Sequence, residues 1–223
     1  MQQKKKGKKT NMDTWKRPIT EEEFRSIYHT IYNGFSNHKP NPQVALILKA
    51  EANLGIRISD VLKLRLKDFI KINGTKEILL EDGRKQETVV SEIYIRILEK
   101  KTKKQRNLPI NPLFYEDLVG FVTERKPRKG EELIPTKEQF IFTVDERWVQ
   151  YVLRAANNYL GLPENEISTH SFRKLYAMNI YEASGHDIYL VSKLLQHSSV
   201  TCTQRYLGLV ADDVKNFSQS IYI

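Results

Sequence analysis

The chain has 223 residues, and its 36 Lys and Arg against 27 Asp and Glu leave a formal charge of +9, an excess that favours polyanionic partners, with nucleic acid first among them. Its one cysteine, Cys202, excludes an intrachain disulfide framework and argues against a thiolate zinc site. No apolar run approaches the roughly 18 to 20 residues of a membrane span, and the basic N-terminus lacks the apolar stretch of a secretory signal, so a cytoplasmic or nucleic-acid-associated protein is expected.

Residues 1–14 are rich in lysine and cannot build a core; they read as a flexible basic arm that touches phosphates or simply solubilises. Order is expected from Trp15. Thr20 followed by Glu21, Glu22 and Glu23 predicts a capped helix start, and Phe24, Ile27, Tyr28 and Ile31 continue it as an apolar stripe. After a loop over Ser36–Pro42, Val44, Ile47, Leu48 and Ala52 predict a second helix that stops at Gly55 in a left-handed cap. Ser59 and Asp60 restart a helix carrying Val61, Leu62 and Leu64. A short strand is expected at Glu77–Leu80, a turn at Asp82-Gly83, and a half-buried strand where Ile93, Ile95 and Ile97 alternate with Tyr94 and Arg96. Lys100–Arg106 reads as a charged turn and Asn107–Ile110 as the returning strand, which together make a small antiparallel sheet. Asn111-Pro112 opens a helix, and residues 126–139 form a polar loop. A helix over Glu146–Tyr159 is expected to put Trp148 in the core. Further helices are expected at Ser171–Ser184, Asp187–Leu195, Thr201–Tyr206 and, weakly, Asp212–Gln219. The fold class is therefore mixed α+β, mainly α-helical.

The groups with chemistry cluster late. Between His170 and Tyr206 the chain places His170 and Arg173 three apart on one helix face, then His197, then the phenol of Tyr206. Arg57 lies far upstream between a helix stop and a helix start, flanked by Ile56 and Ile58. A guanidinium is a planar fork of donors that matches phosphate oxygens. Each group has an ordinary reading too: Arg57 as a surface residue or an ion pair with Asp60, His197 as a cap, Tyr206 as one of eleven tyrosines. Their order and spacing carry more weight than any one of them.

That order resembles the tyrosine recombinase, or phage integrase, family over residues 15–210, its catalytic domain. The matching segments are NLGIRISDVLKL with Arg57, KTKKQRNLPI with Lys101, HSFRK with His170 and Arg173, LLQHSS with His197, and TCTQRYLG with Tyr206. The resemblance implies the catalytic-domain fold of that family and a site-specific recombinase that cuts and rejoins double-stranded DNA through a 3′-phosphotyrosyl intermediate. It implies Tyr206 as nucleophile, His170 as base or proton relay, Arg57 and Arg173 on the nonbridging oxygens, His197 as a further donor, and Lys101 as general acid among Lys100, Lys103 and Lys104. It further implies no metal, no cofactor, no membrane, and self-assembly into a tetramer on two DNA sites. Residues 211–223, with Val214, Phe217, Ile221, Tyr222 and Ile223, form a tail that docks on a neighbouring protomer or packs on its own core. Two departures stand out. Gln196 replaces the usual glycine before His197, and only about fourteen residues precede the catalytic part, where relatives carry a helical domain that closes over DNA. The chain is thus expected to be either a fragment or a minimal form. A type IB topoisomerase-like enzyme and a non-catalytic DNA-binding module of the same fold are the alternatives, with a metal-dependent nuclease a third that the lack of an acidic cluster in the sequence disfavours.

Overall fold

The computed structural model describes residues 16–79, 83–124, 137–163 and 165–209. The basic arm, Trp15, Leu80, Asp82, most of the 126–139 loop and the tail after Leu209 lie outside the described residues. Among the described residues, eight α-helices and three strands follow in chain order, with a short 3-10 turn at Leu66–Asp68: α1 Glu21–Asn33, α2 Pro42–Leu54, α3 Ile58–Val61, β1 Phe69–Leu79, β2 Lys85–Leu98, β3 Gln105–Ile110, α4 Pro112–Glu124, α5 Glu146–Tyr159, α6 Thr169–Ala183, α7 Ile188–Leu195 and α8 Val200–Leu207. The sheet is antiparallel in the order β1-β2-β3.

Local chemistry explains most boundaries. Thr20 accepts from the Glu23 amide while the Glu23 carboxylate accepts from the Thr20 amide, a reciprocal capping box. Asn41 caps α2 with Pro42 in its first turn, and Asp145 and Asp187 cap α5 and α7. Central helix α2 is buried nearly all round, through Val44, Ala45, Leu46, Ile47, Leu48, Ala50 and Leu54, and α6 packs along it. Gly55 then ends α2 at φ 57 and ψ 29. A Cβ there would lie 2.2 Å from the Tyr176 ring of α6, so glycine answers both the left-handed backbone and the close approach. Gly55→Ala should lower unfolding stability by about 2 kcal/mol or more, read as a drop in the urea midpoint at unchanged slope.

Several sequence expectations change. The helix restarting at Ser59 is one turn, Ile58–Val61, and Leu64 is buried beyond it. β1 starts at Phe69, well before Glu77, because pairing of Phe69 with Ile95 through to Leu79 with Lys85 builds a long ribbon in which residues 71–75 are exposed and show no alternation to read. Arg106 belongs to β3 and is buried; it is not part of the turn. α6 begins at Thr169, two residues earlier than expected, which moves His170 into its first turn. Trp148 is 45% exposed and stacks on Tyr151 at 5.4 Å, since the inward face of α5 is taken by Val149, Val152, Leu153 and Ala156.

The main core joins α1, α2, α4, α5 and the inner face of the sheet, where Ile93, Ile95, Ile97, Leu108 and Ile110 are buried. A smaller cluster, Ala177, Val191, Leu195 and Leu207, attaches α7 and α8 to α6, and the Tyr206 ring packs against it. The last two helices therefore rest on few buried groups, which makes them a unit of low local stability. Among the described residues no helix is long and apolar enough to cross a membrane.

Candidate active site

Five of the six expected residues come from four places in the chain and face one another. Arg57 is the N-cap of α3, between buried Ile56 and Ile58, with its side chain 20% exposed. It does not pair with Asp60. Its Nη1 donates to Glu99 Oε2 at 2.9 Å, while Asp60 accepts the Lys100 amide at 2.9 Å and so ties α3 to the β2–β3 hairpin. Arg173, on the buried face of α6, is only 1% exposed. Its Nη2 donates to the Leu195 carbonyl at 3.1 Å, and its Nε and Nη1 have no hydrogen-bond partner among the described residues.

The Tyr206 ring lies between two imidazoles, edge-on to His170 at 5.6 Å and to His197 at 5.1 Å between centroids. Buried Lys174 places its Nζ 5.1 Å from the same ring. The phenol hydroxyl is buried without a regular hydrogen bond, with the Arg173 guanidinium beside it. Its surroundings combine the Arg173 guanidinium with the apolar cluster under the ring. Burial raises the Tyr206 pKa; Arg173 opposes that, Glu51 adds to it, and the net shift is upward. Nucleophilic use of this oxygen needs a proton acceptor or a ligand that alters these surroundings.

His197 Nδ1 lies 3.0 Å from Thr203 Oγ1, a contact between the end of α7 and α8. Burial, then the positive charges of Arg173, Arg57 and His170, bring its pKa down to about 4, so the ring is neutral at pH 7. The residue before it, Gln196, sits at φ 55 and ψ 39, the left-handed conformation that glycine adopts without a Cβ penalty. A glutamine in this conformation accepts local strain.

Lys101 is the exception. It is exposed in the β2–β3 turn, as are Lys100, Lys103 and Lys104, and no hydrogen bond, ion pair or ring contact joins it to the other five among the described residues. The turn itself is anchored: Thr102 Oγ1 donates to Glu99 Oε2 at 3.0 Å.

Sequence reasoning missed four members of this site: Glu99, Arg106, Glu51 and Lys174. Arg106 Nη1 donates to Glu99 Oε1 at 2.7 Å, and its Nη2 to the Leu194 carbonyl. A signal existed for two of them. Glu99 continues the inward alternation Ile93, Ile95, Ile97, and Arg106 precedes Leu108 and Ile110 on the inner face of β3. A charge in phase with the core must find a buried partner, and these two find each other.

Glu51 of α2 is fully buried, and neither carboxylate oxygen has a hydrogen-bond partner among the described residues. Burial lifts its pKa well above the usual carboxylate range; Arg173 opposes this, and Glu146 adds to it. The folded protein thus holds Glu51 protonated where the unfolded chain ionises. Above about pH 4.5 only the unfolded state releases this proton, so stability falls as pH rises, by up to about 1.4 kcal/mol per unit, until the folded pKa is reached. Glu51→Gln should remove that slope, and its stability gain over wild type, measured by urea unfolding, should widen between pH 5 and pH 8. With Glu51 neutral, the guanidiniums of Arg57, Arg106 and Arg173 lie around the carboxylate of Glu99, and these four groups carry a surplus of two positive charges (three less one).

A surplus of fixed guanidinium charge around a tyrosine hydroxyl suits a phosphodiester. Residues 17–211 match the model of the phage integrase family. The chain belongs to the phage integrase family. It is 26% identical over 168 residues to tyrosine recombinase XerD of Rickettsia bellii, covering 72% of this chain and 50% of XerD. It is 25% identical over 203 residues to the SPbeta prophage-derived probable integrase/recombinase YopP of Bacillus subtilis, covering 90% of this chain and 49% of YopP. The chain therefore spans about half the length of these curated relatives. Among solved structures, the XerH site-specific recombinase bound to its difH substrate before cleavage superposes with a TM-score of 0.61 at 21% identity, over 94% of this chain and 55% of XerH. The catalytic domain of bacteriophage HP1 integrase gives 0.54 at 17% identity, over 92% and 95% of the two chains. The mixed α+β architecture described above is the catalytic-domain fold of tyrosine recombinases.

Proposed function

We propose that this integrase-family chain is a site-specific DNA recombinase whose catalytic domain, residues 15–210, cleaves and rejoins double-stranded DNA through Tyr206 without metal or ATP. The observation that carries this reading is the Tyr206 hydroxyl, buried without a regular hydrogen bond beside a guanidinium with two unused nitrogens. A phosphodiester between them satisfies all three orphaned groups.

In this reading the Tyr206 oxygen bonds to phosphorus and the 5′ oxygen leaves. The phenol proton passes to His170, whose ring is already in contact. Arg57 and Arg173 take the nonbridging oxygens, where their value grows as charge builds in the transition state. If Thr203 donates to Nδ1, neutral His197 keeps its proton on Nε2 and donates it to the same phosphate. Lys101 protonates the departing oxygen, and DNA must draw its hairpin inward to do so. The guanidinium surplus supplies charge that bound cations supply in other phosphoryl-transfer sites. The phosphotyrosyl bond conserves the phosphodiester, so religation needs no ATP.

XerH is known in complex with its DNA substrate. The corresponding proposal here is binding of this chain to duplex DNA and assembly into a tetramer on two sites, with residues 1–14 as a basic arm and 211–223 as an exchanged tail. The experiment is incubation with nicked half-site DNA, followed by denaturing gels and mapping of the attached nucleotide. A 3′-phosphotyrosyl adduct at Tyr206 supports the proposal. DNA binding without any adduct would reassign the chain to a binding module, and plasmid relaxation without pairing of sites to a topoisomerase-like enzyme.

A further inference from the structure

The Glu99 carboxylate is fully buried and meets three donors from three different parts of the chain. Arg57 Nη1 reaches Oε2 at 2.9 Å, Arg106 Nη1 reaches Oε1 at 2.7 Å, and Thr102 Oγ1 reaches Oε2 at 3.0 Å. Its backbone closes the lysine turn as well: the Glu99 amide donates to the Lys104 carbonyl at 3.0 Å, and the Lys103 amide to the Glu99 carbonyl at 2.9 Å. Arg106 carries the linkage on to the Leu194 carbonyl, at the end of the helix that precedes His197. One acid thus connects the start of α3, the tip of the hairpin and the end of α7.

A buried carboxylate among arginines contributes little net stability compared with apolar packing, because its desolvation offsets the attraction. Its distinctive effect is geometric. A guanidinium that commits one nitrogen to a fixed carboxylate loses rotational freedom, and its remaining donors point one way. Among the described residues only Nη1 of Arg57 is committed; Nη2 and Nε are left for a ligand.

We propose that Glu99 is a positioning residue, which orients Arg57 toward the scissile phosphate and registers the lysine hairpin against it. It touches no reacting atom and acts through Arg57. The proposal rests on the recombinase reading only for the identity of the anion.

Two measurements test it. In the first, adduct formation on half-site DNA is timed for Glu99→Gln, Arg57→Ala and the double variant. Glu99→Gln should be slower by on the order of a hundredfold, the cost of misplacing a group by about an ångström. On the Arg57→Ala background the same change should cost almost nothing further, because the residue it orients is gone. Equal slowing on both backgrounds would mean a merely structural role and overturn the proposal. Thr102→Val removes one donor from a partly exposed position and serves as the mild variant if Glu99→Gln folds poorly; it should slow the reaction several-fold with the same dependence on Arg57. In the second, inorganic phosphate is titrated into the resting protein while the Arg57 Nε–Hε resonance is followed. Wild type should show a saturable shift, and Glu99→Gln a weakened one. An unchanged titration overturns the role of Glu99 even when adducts form. Should wild type form no adduct, the recombinase reading falls, and the phosphate titration still decides the case for Glu99.

Discussion

Tyr206→Phe should bind DNA as wild type does and form no denaturant-resistant adduct. The substitution removes one oxygen and leaves the ring, so the edge contacts to His170 and His197 and the packing on Ala177, Val191, Leu195 and Leu207 persist. The hydroxyl has no regular hydrogen bond among the described residues, only the Arg173 guanidinium beside it, and its burial is a cost in the resting fold. The variant should therefore be as stable as wild type or slightly more so, which separates lost chemistry from lost folding. As much adduct with phenylalanine as with tyrosine would show that residue 206 is not the nucleophile. The high pKa of the phenol also implies a pH dependence. Since burial keeps Tyr206 protonated in the resting site, the pH profile of adduct formation should not track the titration of free tyrosine.

Arg173→Ala is expected to slow cleavage by about a hundredfold or more, the usual cost of losing one charge-stabilising donor in a transition state. DNA affinity should fall far less, because many exposed lysines share the phosphate contacts. The burial of Arg173 adds a second consequence. It is among the largest fully buried side chains, and truncation leaves a cavity and strips the Leu195 carbonyl of its donor, so the melting temperature should fall as well. Arg173→Lys keeps a charge without the fork and should be intermediate in rate. If binding and cleavage fall by the same factor, Arg173 contributes to affinity alone and not to the transition state.

Glu99 has an electrostatic consequence that the pairing alone does not convey. Burial would raise its pKa, but Arg106 and then Arg173 outweigh burial and hold it below the usual carboxylate range. It therefore favours the ionised form, while Glu51, with no guanidinium hydrogen-bonded to it among the described residues, favours the neutral one. Two buried acids in one site take opposite protonation states, and the difference lies in whether a guanidinium is hydrogen-bonded to them.

How much of this was legible differs by element. Caps are local, so Thr20 announced its helix within three residues, and Gly55 its left-handed stop. Alternation marked the inner face of β2 and, followed one step further, points to Glu99. The long ribbon of β1 was not legible, because its exposed residues carry no periodic burial and depend on pairing with β2. The exposure of Trp148 was not legible either, since side-chain size says nothing about which face of α5 meets the core.

The sequence by itself determined the chemical inventory: a basic chain, helices with readable ends, and Arg57, Lys101, His170, Arg173, His197 and Tyr206 in the order that carries the family resemblance. Only the tertiary structure decided what those groups do to one another. Which acid holds Arg57, whether Glu51 is charged, and what surrounds the Tyr206 hydroxyl depend on contacts between separate elements of the fold, such as Arg57 with Glu99 across 42 residues. Burial and charge act through space, and no local pattern along the chain encodes the distance between them.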